Sequence, residues 1–383
     1  MKQGEKILIG EGKENMNDKQ YYYNVADDVA TYPDAWCIIA IGGRGTGKTY
    51  GALKDCYLNH RQFVFVKRTN DDVELLCAGS GRYGKKAEGS ADISPFKPIN
   101  RDLNTNVHPF TISKGLAGFW ECEQNEDGDN VPKGESIGKI LSLNAVSKYS
   151  GFDMSDADWM IFDEFVPRSW ERVLRSEGDQ MLDLYKTIAR DREHRGRQPL
   201  KLILLANSVD ISCPATNILE VSDAIAEAHL MGKEYHYIKD RGILIHIIRT
   251  SEEFHHKEEQ TILYQAMNAT AWGQMAFENN FAYNDFSAVK KLQLKNYRPI
   301  AAYIYKRKYV YVYQKDGNFY LCKSKANLPI QKIYDLQIER NQKRFYYDYA
   351  IDLQNSSIEG HVYFETYGMY ELITNYHKIF VLR

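Results

Sequence analysis

The sequence predicts an α/β fold: a P-loop nucleotide-binding domain on a mostly parallel sheet, then a small linker and a separate α+β domain. Three observations predict it. Near-continuous apolar runs recur through the first two-thirds of the chain, at residues 36–41 (WCIIAI), 63–67 (FVFVK), 159–163 (WMIFD) and 201–206 (KLILLA). Such runs fit strands buried on both faces, as in a parallel sheet covered by helices. A glycine-rich phosphate-loop motif directly follows the first run. After about residue 250 the composition changes to a charged segment and then a tyrosine-rich end with period-two alternation. The expected boundaries are residues 1–250 for the nucleotide-binding domain, 251–278 for the linker and 279–383 for the C-terminal domain.

A chain of 383 residues has room for two cores. Its polar start, MKQGEKILIGEGKENMNDK, lacks the apolar stretch of a signal peptide. No apolar run approaches the roughly 18 residues of a membrane span. The expectation is a cytosolic protein with no membrane partner. The formal net charge of −2 excludes a strongly basic DNA-coating protein, so any DNA contact calls for a local basic patch and a salt-sensitive grip. The six cysteines are scattered, with no CxxC pair and no His/Cys metal cluster, which predicts reduced, mostly buried thiols.

The first strand runs into Gly42-Gly43-Arg44-Gly45-Thr46-Gly47-Lys48-Thr49, which fills every fixed position of GxxxxGKS/T. A helix-like run follows it, the strand–loop–helix context that the motif requires. The glycines let backbone N–H groups turn inward around a β-phosphate, helped by the helix N-terminus. Lys48 is placed to reach the β- and γ-phosphates, and the Thr49 hydroxyl to ligate Mg²⁺. The second strand, 63–67, ends in Lys67 and Arg68, which read either as phosphate sensors or as a surface pair. Residues 87–134 are rich in Gly, Asp, Asn and Pro and read as an insertion with long loops around an antiparallel-looking piece at 110–120.

The strand at 159–163 ends in Asp163-Glu164. Strand ends of an α/β sheet face the ligand crevice. Asp163 suits the Walker-B role of holding Mg²⁺, and Glu164 sits where a base polarises the attacking water. A GTPase wants DxxG here, and the chain reads Asp163-Glu164-Phe165-Val166; Asn207-Ser208-Val209-Asp210 lacks the Lys of a guanine-reading NKxD. ATP is therefore the expected nucleotide. The strand at 201–206 leads into Asn207, either a γ-phosphate sensor or a cap on its own turn. The cluster around Arg190 and Arg192 reads either as an arginine finger for a neighbouring subunit or as a solvated charged turn. Further on, alternation across Tyr303, Tyr305, Arg307, Tyr309, Tyr311 and Tyr313 signals a strand, and Asp316-Gly317 a hairpin turn.

The order of these pieces resembles the DNA-packaging ATPases of small podoviruses, the Salas-type motors related to terminase large subunits. The resemblance rests on IGGRGTGKTY, FVFVKR, WMIFDEF, then IARDRE followed by LILLANSV, with NFAYNDFSAVKK, the tyrosine-rich hairpin and ETYGMYELITNYHK farther on. It covers most of the chain and least of all residues 87–134. It implies an ASCE-type ATPase that pumps double-stranded viral DNA into a procapsid. Lys48 and Thr49 fall on the phosphate and Mg²⁺ positions, Asp163 on the Walker-B acid and Glu164 on the catalytic glutamate. Arg190 falls on the trans-acting finger, with Arg192 a second candidate, and Asn207 in the coupling motif. ATP is expected near the aromatic segment Tyr22-Tyr23-Asn24. The implied setting is a homo-oligomeric ring, usually a pentamer, in the infected cell's cytoplasm. The ring docks on a portal at one capsid vertex, with or without a packaging RNA or adaptor. The C-terminal domain is expected to be a vestigial RNase H-like nuclease. Residues 286–315 hold no Asp or Glu, whereas a two-metal nuclease needs clustered carboxylates to hold two cations about 4 Å apart. The alternative is a P-loop ATPase driving virion assembly or secretion without a DNA substrate; a small-molecule kinase is a more distant reading.

Overall fold

The computed structural model describes residues 22–79, 93–149, 151–168, 171, 173–174, 176–208, 210–249, 252–270, 273, 276–277, 281 and 284–380. The polar start at 1–19 and the beginning of the insertion, 87–92, lie outside them. The chain divides into two compact units. The first comprises the described residues of 1–219 and 231–282, the second those of 220–230 and 283–383. Among the described residues no helix is long and apolar enough to cross a membrane.

The first unit opens with α1 (Val25–Thr31), whose N-cap Asn24 accepts the Ala26 N–H. Then come β1 (Cys37–Gly42), α2 (Lys48–Leu58), β2 (Phe63–Lys67), α3 (Asn70–Leu76) and α4 (Lys97–Leu103). β3 (Val107–Ser113), β4 (Leu116–Gln124), β5 (Asn130–Pro132) and β6 (Gly138–Ser142) follow, then β7 (Trp159–Asp163), α5 (Glu177–Ala189), β8 (Lys201–Asn207) and α6 (Pro214–Ile218). Helix α7 (Ser222–Leu230) belongs to the second unit. β9 (Tyr235–Ile238), β10 (Ile243–Ile247), α8 (Glu252–Glu259) and α9 (Ile262–Met267) complete the first.

Its sheet runs β3-β4-β6-β2-β7-β8-β1-β10-β9, with β5 pairing β4. From β6 through β10 the neighbours are all parallel. β1, β7 and β10 are buried along their whole length, as two-faced burial of a parallel sheet requires. The described part of the segment expected to be a loop-rich insertion carries α4 and the strands β3, β4 and β5. β3 and β4 form an antiparallel hairpin, and β4 joins β6 antiparallel, so the piece extends the main sheet. Its Gly, Asn and Asp residues serve the short turns between strands: Gly115 joins β3 to β4 at φ 81°, and Gly128 turns β4 into β5 at φ 79°.

The second unit is a sheet of order β14-β11-β12-β13-β15. β11 (Arg298–Tyr305), β12 (Lys308–Lys315) and β13 (Asn318–Cys322) form an antiparallel meander. β14 (Ile333–Asp335) lies parallel to β11 and β15 (Val362–Phe364) parallel to β13. Helices α10 (Glu339–Phe345), α11 (Ile351–Ile358), α12 (Tyr367–Thr374) and α13 (Tyr376–Ile379) accompany it. Val310 and Val312 face a core with Phe345, Phe364 and Tyr376, while Tyr311, Tyr313 and Tyr320 face a second cluster with Leu292, Leu294 and Tyr297. Asp316-Gly317 is a hairpin turn, with φ of 48° and 80°. The tyrosine alternation, read as one strand, is broken into β11 and β12 by a second turn at Lys306-Arg307, with φ of 47° and 62°. Neither residue advertises a left-handed turn, because that conformation favours Gly, Asn and Asp. α7 joins this unit through Asp223, whose carboxylate accepts the Gly368 N–H at 2.6 Å.

Candidate functional site

The phosphate loop connects the buried strand β1 to α2. Gly45 and Gly47 take φ of 77° and 82°, a region open to glycine and costly for other residues. A Cβ on Gly47 would also meet Tyr22 Cβ at 2.9 Å. The loop wraps the Lys48 ammonium. Lys48 Nζ donates to Gly43 O at 2.7 Å, to Gly42 O and Thr46 Oγ1 at 3.1 Å, and to Asn207 Oδ1 at 3.3 Å. Burial pushes its pKa down to about 8, against the pull of Asp163 and Glu164 and with the repulsion of Arg44.

β7 delivers Asp163 to the same place. Thr49 Oγ1 donates to Asp163 Oδ1 at 2.7 Å, and Lys67 Nζ pairs with Oδ2 at 2.7 Å. Burial lowers the Lys67 pKa, but Asp163 more than offsets it, so the net shift is upward and Lys67 stays charged. A hydroxyl and a carboxylate at hydrogen-bond distance, both on rigid elements, are the hard oxygen donors that suit Mg²⁺. The residues present therefore fit the cation that the motif implies.

Glu164 follows at φ 56°, a left-handed conformation that a non-glycine residue holds only under constraint. Its side chain is half-exposed and lies 3.4 Å from Arg168 Nη2. It lines a small pocket with Arg44, Val166, Arg168, Glu171 and Asn207. β8 lies between β1 and β7, and its last residue, Asn207, pairs in register with Gly42. The Asn207 amide oxygen thus accepts from Lys48, and the residue lines the pocket. Lys48, Thr49, Asp163, Glu164 and Asn207 all gather at the C-terminal ends of adjacent strands.

Arg68 is not a surface pair. Its guanidinium is nine-tenths buried. It donates from Nε to Glu177 Oε2 and from Nη1 to Glu171 Oε2, both at 2.9 Å. Nη2 donates to the carbonyls of Glu164 at 3.1 Å and Phe165 at 3.0 Å. Arg168, Glu171 and Glu177 were not singled out in the sequence; nothing in their spacing marks burial.

The arginine cluster sits at the opposite end of the strands. Arg192 is buried and donates to Ala157 O, with Asp158 at 3.5 Å, just before β7 begins. Arg190, the C-cap of α5, is exposed and donates to Phe152 O. The length of β7 separates that end from Asp163, about 13 Å at 3.3 Å per residue. Neither arginine is brought to the chain's own phosphate loop.

The N-terminal aromatic segment does pack on the loop. Tyr23 N–H donates to Thr46 O at 2.9 Å. The Tyr22 ring lies 6.4 Å from Tyr50 and 6.3 Å, edge-on, from Phe254. The Tyr23 hydroxyl donates to Asp28 at 2.8 Å, and Asp28 also pairs with the buried His246 at 2.8 Å, which ties the segment to β10.

A family model described as podovirus DNA encapsidation protein (Gp16) matches residues 134–351. That span contains Asp163, Glu164, Arg190 and Asn207; the phosphate loop stands outside it on its own motif. A DNA packaging protein of Bacillus phage B103 is 27% identical over 271 residues, covering 70% of each chain. Among solved structures, the bacteriophage Phi-29 viral genome packaging motor assembly matches with a TM-score of 0.60 at 17% identity, over 94% of this chain and 99% of that one. The Phi-28 gp11 DNA packaging motor matches at 0.53 and 15%, over 94% and 98%. At these identities the structural likeness carries the fold, a mixed α/β fold with a large, mostly parallel sheet.

Proposed function

The chain belongs to the podovirus DNA encapsidation protein (Gp16) family, and we propose on that premise that it is the ATP-hydrolysing motor subunit that translocates double-stranded viral DNA into a procapsid. The observation that carries the ATPase half is the convergence of Lys48, Thr49, Asp163, Glu164 and Asn207 at the ends of β1, β8 and β7. Placement of β8 between the loop strand and the acidic strand supports an ASCE-type reading.

The roles follow from chemistry. The loop N–H groups and Lys48 hold the β- and γ-phosphates, and Lys48 neutralises their charge. Thr49 and Asp163 would hold Mg²⁺, which when bound spreads positive charge over the β- and γ-oxygens. Glu164 accepts the proton of the attacking water, or polarises it. Asn207, already bonded to Lys48, senses the γ-phosphate and relays its loss to β8. The adenine of ATP would lie against Tyr22, near Tyr50 and Phe254. Arg190 acts in trans: it is exposed, it faces away from its own site, and Arg192 is committed to the fold. That role implies a ring, read here as a pentamer on the portal, with a packaging RNA or adaptor left open. The ring works in the host cytoplasm, at the procapsid vertex. The second unit is read as an RNase H-like domain without nuclease activity, its first strand β11 carrying no carboxylate.

Nucleotide binding and turnover of two variants test the site. Glu164→Gln is expected to bind ATP at the wild-type level and lose hydrolysis. Asp163→Asn is expected to weaken Mg²⁺-dependent binding. Equal behaviour of the two in the binding assay would contradict the separate roles.

A further inference from the structure

We propose that the buried pair Asp28 and His246 positions the nucleotide base: it fixes the Tyr23 side chain, and through it the Tyr22 ring, and so sets affinity for the base-bearing end of ATP. The inference rests on the reading that the adenine lies against Tyr22. The Tyr22 ring is 47% exposed, and an exposed ring is placed largely by the backbone that carries it. That backbone is held at Tyr23. Its N–H donates to Thr46 O in the phosphate loop at 2.9 Å. Its carbonyl lies so close to α2 that a Cβ on Gly51 would stand 2.6 Å from it. The Tyr23 side chain turns inward, and its hydroxyl donates to Asp28 Oδ2 at 2.8 Å.

Asp28, on α1, is 2% exposed and His246, on β10, 5%. A carboxylate only accepts, so His246 Nδ1 is the donor, at 2.8 Å to Oδ2 and 3.1 Å to Oδ1. A carboxylate this deep depends on its donors, and Asp28 takes them from two distant parts of the chain. The other ring nitrogen, Nε2, lies 3.4 Å from Glu234 Oε1. Tyr23 meets the imidazole edge-on at 5.2 Å, and Tyr235 covers it at 4.2 Å. β10 gives the pair its hold on the site. His246 lies opposite Ala40 of β1, two residues before Gly42, where the phosphate-loop motif begins. Just after it, Ile248 N–H donates to Ile41 O at 2.7 Å, and a Cβ on Gly42 would meet the Ile248 side chain at 2.8 Å. The strand that backs the phosphate loop thus also holds, through one imidazole and one carboxylate, the segment that carries the aromatic ring. An apolar pair could fill the same space, but only a chain of donors and acceptors fixes where the Tyr23 hydroxyl points.

The test compares binding of Mg-ATP with that of Mg-tripolyphosphate, which has the phosphates and no base, to the full chain. Tyr22→Ala is expected to weaken ATP about tenfold, the scale of one base–aromatic stack, and to leave tripolyphosphate within about twofold. Tyr23→Phe keeps the ring and removes only the hydroxyl. It is expected to weaken ATP about fivefold, the scale of one hydrogen bond, again with tripolyphosphate within about twofold. His246→Leu is expected to match Tyr23→Phe. His246→Asn, whose amide nitrogen takes the place of Nδ1, is expected to restore most of the affinity. In the Tyr22→Ala background, Tyr23→Phe is expected to add nothing. Unchanged ATP affinity in Tyr23→Phe, or equal losses for ATP and tripolyphosphate, overturns the proposal, because the pair would then serve the fold or the loop alone. Tyr23→Phe decides the question even where His246→Leu does not fold. Unchanged ATP affinity in Tyr22→Ala would instead overturn the reading of the adenine site on which the proposal rests.

Discussion

Lys48 shows what a phosphate site costs the protein that carries it. Its ammonium is buried, and burial moves its pKa from the ordinary 10.5 down to about 8. At about 1.4 kcal/mol per unit, the charged form carries a penalty of about 3 kcal/mol. Between about pH 8 and 10.5 the unfolded chain binds more protons at this lysine than the folded chain does. The wild-type protein therefore gains stability as pH rises through that window. Lys48→Met is expected to abolish ATP binding and yet raise the melting temperature at pH 7 by several degrees, with the gain shrinking toward pH 10. ATP affinity of the wild type is expected to fall above about pH 8, as Lys48 loses its proton. Calorimetry and nucleotide titration across pH 7–10 check both. The two arginines separate in the same way. Arg192→Ala removes the donor to the buried Ala157 carbonyl and is expected to cost about 1–3 kcal/mol of stability. Arg190→Ala is expected to leave the melting temperature unchanged and to lower turnover only where subunits assemble. Mixed with Glu164→Gln, it is expected to recover part of the activity, because some interfaces then pair an intact Arg190 with an intact Glu164. Arg190→Ala fully active in assembled protein would return the cluster to a solvated turn.

At the scale of elements, the strands and the phosphate loop were legible because both are local signals. Continuous apolar runs became β1, β2, β7 and β8, and every loop position lies within one stretch of eight residues. The packing of the N-terminal segment on α2 is less local. A Cβ on Gly51 would lie 2.6 Å from Tyr23 O, a backbone atom. Alanine favours a helix by about 1 kcal/mol over glycine, yet here Gly51→Ala is expected to push the segment away. A several-fold higher KM for ATP and a lower melting temperature are the outcome to look for; an unchanged KM would separate the segment from nucleotide binding. What the sequence hid has two physical causes. Lys306-Arg307 makes a left-handed turn from residues with no preference for one, so a hairpin was read as a strand. Arg68 meets Glu177 across 109 residues, and the burial that makes the pair matter has no local pattern. Asp163, Glu164 and Asn207 were legible as strand ends, but that Asn207 bonds Lys48 needed the strand order.

At the scale of the whole molecule, the chain joins two units with separate cores, and its net charge is only −2. Residues 286–315 carry no acid, and β11, β12 and the turn between them carry Arg298, Lys306, Arg307, Lys308 and Lys315. Lys306, Arg307 and Lys308 lie at the β11–β12 turn, where Lys308 pairs with Glu220 at 3.3 Å, and Arg298 and Lys315 lie at the opposite end of the strand pair. The hairpin is expected to grip DNA phosphates through these basic side chains, with an affinity that falls as salt rises. It is not expected to cut: plasmid incubated with the full chain and Mg²⁺ or Mn²⁺ should stay intact, and metal-dependent nicking would reinstate the nuclease. The most direct measurement of the central claim is ATP turnover by the pure protein, with and without double-stranded DNA, at low and high salt. The account predicts that DNA raises turnover, that the stimulation shrinks at high salt, and that Glu164→Gln shows none under either condition. Turnover that depends on Lys48 but is indifferent to DNA at both salts would contradict a DNA-translocating motor.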